Sequence, residues 1–299
     1  MRNKTLLAIF ILVVLLGGSF LFGMAVFLLS SSSDSEISIF GGGDVGLVKI
    51  EGGIYEPMDK VKELDEYRKD GGIKAVVVRI ESPGGSVSAS QELFDAVKRL
   101  AAKKPVVASL GTVAASGGYY VACGANKIVA EPGTITGSIG VRMDHVQIGD
   151  LLQWAKIGHE TLKSGKFKDI ASPDRPITPE EREILEGMLK DIHRQFKTDV
   201  GQARGLSDEV MDLVADGRIY SGEEAQLKGL VDKLGGYFDA VALAGELAGI
   251  KGEPEVVEKH KKGEKLIDRL FESAMSEVKS AIIGTKQTFR EPLLLYWTY

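Results

Sequence analysis

Two short blocks in the middle of the chain carry residues that could do covalent chemistry: Ser82-Pro83-Gly84-Gly85 and Ala115-Ser116-Gly117-Gly118-Tyr119-Tyr120. Each follows a β-rich apolar run, Ile73–Ile80 and Pro105–Leu110. A glycine pair after a strand lets the backbone approach a ligand closely and turns N–H groups outward. A serine that opens a helix has its hydroxyl beside free N–H donors at the positive helix end. Together the blocks read as an oxyanion hole beside a nucleophile, which acyl transfer needs. The candidate donors are Gly85 and the N–H of Gly117, directly after Ser116. One glycine turn alone would read as punctuation. Two turns after successive strands mark a crevice at strand carboxyl ends, where α/β folds bind ligands.

A serine hydroxyl needs a base. His145, His159, His193 and His260 are scattered among polar residues and read as surface or satisfied side chains. Lysine can serve if desolvation leaves its amine neutral. Lys163-Ser164-Gly165-Lys166-Phe167-Lys168-Asp169 offers three lysines beside one phenylalanine, and the residues alone do not choose among them. Ser138, in Gly137-Ser138-Ile139-Gly140, could hydrogen-bond a buried amine or its own turn backbone. No cysteine–histidine cluster has metal-ligand spacing, so neither metal nor cofactor is expected. The single cysteine, Cys123, excludes an intrachain disulfide and reads as a core residue.

The elements that must position these groups alternate along the chain. Strands are expected at Val45–Ile50, Ile73–Ile80, Val106–Leu110, Lys127–Ala130 and Glu160–Leu162, and a turn-rich loop at Gly133–Gly140. Helices are expected at Met58–Lys69, Ala89–Lys103, Ser116–Gly124 and His145–Lys156. A long one begins at Thr178-Pro179-Glu180-Glu181, with a good N-cap and an acidic first turn, and runs to Arg204. Two or three more follow to Gly249. Short buried strands between helices argue for an α/β fold with parallel pairing.

Leu6–Leu29 is an uncharged, mostly apolar run preceded by Arg2 and Lys4. As a helix it would span roughly 36 Å, enough to cross a bilayer with the N-terminus in the cytoplasm and the remainder outside. It exceeds the apolar core of a cleaved signal peptide, and Ser30–Ser33 makes no convincing cleavage box. The expected organisation is therefore residues 1–29 as tip and transmembrane anchor, 30–44 as serine- and glycine-rich linker, 45–250 as catalytic domain, and 251–299 as linker, amphipathic helix (Leu266–Ile283) and apolar tail (Leu293–Tyr299). At 299 residues with 44% apolar and 26% charged residues the chain has ample length for a core. A net charge of −5 without an aromatic-studded basic patch excludes nucleic acid as an expected partner.

The ordered set of Ser-Pro-Gly-Gly, Ala-Ser-Gly-Gly-Tyr-Tyr, Thr136-Gly137-Ser138-Ile139-Gly140, Gly165-Lys166-Phe167-Lys168-Asp169 and Asp216-Gly217-Arg218-Ile219-Tyr220-Ser221-Gly222 resembles the short, single-repeat signal peptide peptidases of the SppA family. These are membrane-bound serine proteases of the Clp-protease/crotonase superfamily, and the resemblance covers roughly Val45 to Gly249. It implies a fold of repeated ββα units, Ser116 as nucleophile, Lys168 as general base, Ser138 orienting the lysine, and Gly85 and Gly117 as the oxyanion hole. It further implies rings in which serine and lysine come from neighbouring subunits. Remnant signal peptides and other apolar, membrane-associated polypeptides would be the substrates, with lipid touching the anchor. Three rival expectations remain: a stomatin-partnered membrane Clp-class protease, an acyl-CoA enzyme of the crotonase type, and a non-catalytic membrane scaffold.

Overall fold

Parallel neighbours cannot be joined by a tight turn, so the first three strands are joined by crossovers that each carry a helix. The computed structural model describes residues 44–258. The expected anchor, most of the juxtamembrane linker, the amphipathic helix and the apolar tail lie outside the described residues. Strands β1 (Val45–Glu51), β2 (Ala75–Ser82) and β3 (Val106–Ala115) are separated by helices α1 (Met58–Lys69) and α2 (Val87–Ala101). Helix α3 (Gly117–Ala122) leads to β4 (Lys127–Ala130) and β5 (Ile135–Gly137), followed by α4 (Gly149–Trp154) and the long α5 (Pro179–Arg204). Helix α6 (Asp208–Val214), β6 (Ile219–Ser221), α7 (Gly222–Leu227), β7 (Lys233–Leu234), α8 (Tyr237–Leu247) and β8 (Val256–Glu258) complete the described residues.

The sheet runs β6–β5–β3–β2–β1–β8, with β4 and β7 branching from β3. Its strand pairings are parallel except β5 with β6. The mixed α/β class is as expected. The alternation differs from repeated ββα units, because β1, β2 and β3 are each followed directly by a helix. Side chains alternate between faces with period two. Val76, Val78 and Ile80 of β2 join the main core with α1, α2 and α3, whereas Ala75 and Val77 join a second core with Ala240, Val241 and Ala244 of α8. Cys123 lies in the main core, where burial pushes its thiol up to about 12.

Four local expectations need correction. His145–Lys156 forms only the short α4, because Ile148 donates its N–H to Pro173 O (2.7 Å) and Gly149 packs on the Asp174 carbonyl, which pins the chain before a helix can start. Glu160–Leu162 is irregular. Ile135–Gly137, expected as loop, is β5, because the long β3 offers it an edge. Val256–Glu258, expected in a linker, pairs with β1. Among the described residues no helix is long and apolar enough to cross a membrane.

The long helix starts where its capping residues dictate. The Thr178 hydroxyl accepts from Glu181 N, the Glu181 carboxylate accepts from Thr178 N, and Pro179 occupies the first turn. It ends at Gly205, whose φ of 64° suits a left-handed cap. Its last turn is locked to the β4–β7 branch: Arg204 donates to Asp232 (2.8 Å) and to Gly229 O (3.0 Å), and Asp232 also accepts from Ile128 N (2.8 Å). Deleting one partner of such a buried pair strands the other charge. Asp232→Ala is expected to lower stability by about 3 kcal/mol, read as a shifted urea midpoint; an unchanged midpoint would show that the pair does not brace the branch.

Candidate active site

The site is built on a register change. Ile80 pairs with Leu110 but Ser82 pairs with Ala114, so a single residue of β2, Glu81, faces three of β3. The Glu81 carboxylate satisfies the looped-out backbone, accepting from Thr112 N (2.8 Å) and Val113 N (3.0 Å). Gly111 must lack a side chain there, since a Cβ would lie 1.8 Å from Glu81 Oε2. Before the bulge β3 pairs with β4, and after it Val113–Ala115 pair with β5. The bulge therefore hands the end of β3 to a new neighbour just before Ser116.

Ser116 stands between β3 and α3 at φ 53°, ψ −122°, a conformation L residues rarely adopt. It is held by Ser116 N donating to Gly137 O (2.8 Å) and by its own carbonyl accepting from Tyr120 N (2.9 Å). Gly84, at φ 101°, packs directly against it: a Cβ on Gly84 would fall 2.7 Å from Gly117 N and 2.9 Å from Ser116 Cβ. Gly85 is bridged to Ile54 through its neighbours, Ile54 N donating to Gly84 O (3.0 Å) and Ser86 N to Ile54 O (2.8 Å). Among the described residues neither Gly85 N–H nor Gly117 N–H is used in a hydrogen bond. The first helical N–H groups have no partner within a helix, so the Gly117 donor is a consequence of where α3 begins.

Ser116, Gly85 and Gly117 line one narrow cavity of about 20 Å³, room for about one water molecule. Its walls are largely apolar, from Val87, Val141, Ile192 and Phe196 together with the Tyr120 ring. Tyr120 stacks on Phe196 (4.4 Å) and donates to Asp199, which fixes α3 against α5. Ser138 also has positive φ (52°) and donates its N–H to Arg218 O (2.8 Å). Ala115 and Gly137 are paired, so Ser116 and Ser138 follow one another across adjacent strands, whose backbones lie about 4.8 Å apart. The Asp216–Gly222 block braces this loop: Arg218 closes on Asp216, Ile219–Ser221 pair with β5, and Ser221 caps α7.

Four of the five expected site residues are thus gathered at one end of β3 and β5. Lys168 is elsewhere: it is exposed, on a turn closed by Lys168 N donating to Gly165 O (3.1 Å), and does not line the Ser116 cavity. Among the described residues its side chain has no hydrogen bond or ion pair, whereas Lys163 is bound to Asp169 (2.6 Å) and Lys166 to Glu180. The histidines are not uniformly satisfied, as the sequence suggests. Among the described residues, His145 and His193 each bury Nε2 without a partner, and His159 is exposed and bonded, to Thr161 and Asp174. Sequence reasoning also missed Gly84, Glu81 and the wall from α5. For the last there was a signal: Ile192 and Phe196 are four apart and share a helix face.

Residues 98–251 match the model of Peptidase family S49, and residues 59–134 match that of Clp protease. The chain belongs to Peptidase family S49. It is 38% identical over 273 residues to a putative protease of Methanocaldococcus jannaschii, covering 86% of each chain. It is 45% identical over 184 residues to a putative protease of Synechocystis, covering 62% of this chain and 66% of that one. With the chloroplastic serine protease SPPA of Arabidopsis thaliana the identity is 36% over 236 residues, 78% of this chain but only 34% of the plant protein.

Two outcomes follow from this geometry. Glycine readily occupies the backbone region that Ser116 is forced into. Ser116→Gly is expected to abolish hydrolysis while raising stability by about 1 kcal/mol; a destabilised variant would show that Ser116 is unstrained. The second concerns Glu181, whose carboxyl is held down at about 2, first by the Arg175 guanidinium and then by Thr178 N. A depressed carboxyl contributes stability above its ordinary value, 4.5, and loses it as pH falls towards about 2. The stability gap between wild type and Glu181→Gln should be constant above about pH 5 and close as the pH is lowered towards 2; denaturant titrations across that window would show a gap that never closes if the assignment is wrong.

Proposed function

We propose that this S49 peptidase is a serine endopeptidase with a serine–lysine dyad, working on apolar polypeptides at a membrane surface. One observation carries the nucleophile: Ser116, held at positive φ, lines the same apolar cavity as Gly85 and Gly117, whose N–H groups have no hydrogen-bond partner among the described residues. A strained serine at a strand-to-helix junction with free donors at hand is arranged for attack on a carbonyl and capture of the oxyanion.

The base is Lys168. It is the lysine that fills the Gly-x-Phe-Lys-Asp motif of the family resemblance, and in support Lys163 and Lys166 are engaged with Asp169 and Glu180 while Lys168 has no such partner among the described residues. In the reaction the neutral Lys168 amine takes the proton from Ser116 Oγ, and Oγ bonds to the peptide carbonyl carbon. The oxyanion is held by Gly85 N–H and Gly117 N–H. The lysinium then gives its proton to the leaving amine as the C–N bond breaks. Water, deprotonated by the same lysine, attacks the acyl-enzyme, and Ser116 recovers its proton. Ser138, on the strand beside Ser116, orients the lysine amine.

The position of Lys168 supports a site completed between copies of the chain. Its loop is anchored at Glu181, while the cavity wall is Ile192 and Phe196 on the same helix. Eleven residues of helix separate Glu181 from Ile192, about 16 Å at 1.5 Å per residue. A ring in which the lysine of one subunit meets the serine of the next satisfies that separation. Leu6–Leu29 would anchor the ring in the cell membrane with the catalytic body outside, and the apolar walls around Ser116 suit apolar side chains such as those of spent signal peptides.

Fluorophosphonate labelling of the full chain in detergent, located by mass spectrometry, tests this reading. The adduct is expected on Ser116, and Ser116→Ala and Lys168→Ala should each lose labelling and peptide hydrolysis by at least 10³-fold while keeping the wild-type melting transition. An active Lys168→Ala protein would sink the dyad.

A further inference from the structure

A general base must be held within a fraction of an ångström of the proton it takes. Lys168 sits on neither helix nor strand. Its immediate neighbour, however, is among the most firmly tied residues outside the sheet. The Asp169 carboxylate accepts from Arg175 Nε (3.1 Å) and pairs with its terminal nitrogen (3.0 Å), and Arg175 also donates to the Asp169 carbonyl (3.2 Å). The other face of the same guanidinium is bidentate to Glu181 (2.6 and 2.8 Å). Glu181 is buried and fixed by the capping box that opens α5. One arginine therefore rivets the residue after the lysine to the start of the longest helix, using the planar fork that lysine lacks.

We propose that Asp169, Arg175 and Glu181 are positioning residues for Lys168: they hold its loop and, by occupying both carboxylates, keep that lysine without a counter-ion. This rests on the reading of Lys168 as the general base. The charged groups around the loop are consistent with it. Lys163 takes the remaining side of Asp169, Lys166 takes Glu180, and His159 faces Asp174. Hydrogen bonds from Arg175 and then Lys163 hold the Asp169 carboxyl far below its ordinary range. Removing Arg175 leaves Asp169 held by Lys163 alone and able to turn towards Lys168, one residue away. That pairing would favour the ammonium, the form that cannot take a proton.

The experiment compares Arg175→Gln, Arg175→Lys, Asp169→Asn and Lys168→Ala in the full chain, with peptide hydrolysis read as kcat, KM and the pH profile of kcat/KM. Arg175→Gln is expected to lower kcat by 10- to 100-fold, leave KM within about twofold, and move the basic-rising limb of the profile to higher pH. Arg175→Lys should recover part of kcat. Asp169→Asn, which loosens the loop but offers Lys168 no carboxylate, should lower kcat without moving the limb. It also serves as the variant to read if Arg175→Gln lowers the melting temperature. Wild-type kcat and an unmoved limb in Arg175→Gln, beside an inactive Lys168→Ala, would overturn the clamp and leave the dyad standing. An active Lys168→Ala would overturn both.

Discussion

A serine with φ of 53° between a strand and a helix is not a conformation the chain adopts for itself, and the surrounding structure is largely what makes it hold. Three backbone contacts fix it: Ser116 N on Gly137 O, Tyr120 N on Ser116 O, and the glycine at 84 pressed against Gly117. Each has its own requirement. The first needs β5 beside β3, which needs the bulge that Glu81 satisfies. The second needs a helix to start immediately, and the third needs a residue with no side chain at φ 101°. The strain is of order 1–3 kcal/mol and is small against the sheet that imposes it. Its product is a hydroxyl and an unpaired N–H emerging together from one junction.

Charge organises the segment around Lys168 as backbone geometry organises the Ser116 junction. In the segment from Lys163 to Glu181, Lys163, Lys166 and Arg175 each meet a carboxylate, and Lys168 does not. Exposed ion pairs add little to stability individually. Here their consequence is positional rather than energetic, because they tie the segment to itself and to the first turn of α5.

Much of the scaffold was legible in the sequence, and the reasons differ by element. The start of α5 is readable because its cap is local: Thr178, Pro179 and Glu181 satisfy one another within four residues. Helix α1 and strand β4 are readable from pattern alone. Strands β5 and β8 were not, since three-residue strands take their identity from an edge offered by residues distant in sequence, β3 and β1. The glycine pairs signalled close approach correctly, but the division of labour between them did not show. Gly84 lies tight against Gly117 and Ser116, and Gly85 lies tight against Ile54 while leaving its N–H open, a distinction visible only once those partners are in place. Lys168 was singled out from its neighbours by the resemblance alone; the carboxylate partners of Lys163 and Lys166, Asp169 and Glu180, could not be read from spacing.

The Ser116 cavity and the Arg175-tied loop both bear on α5, and this gives the helix its importance. Near its first turn Glu181 receives Arg175 and, through it, the lysine loop; three turns later Ile192 and Phe196 close the cavity over Ser116, and Tyr120 stacks on Phe196. In its last turn Arg204 is tied to Asp232 and so to the strand β4 that leaves β3. A rod fixed at that end and bearing on the cavity in its middle must hold its far end at a set height above the sheet. Through Arg175 the Lys168 loop is tied to that far end. If Lys168 serves a neighbouring Ser116, the length of α5 becomes the spacing rule of the assembly: adding or removing a turn would leave each half-site intact and carry the lysine about 5 Å from its mark.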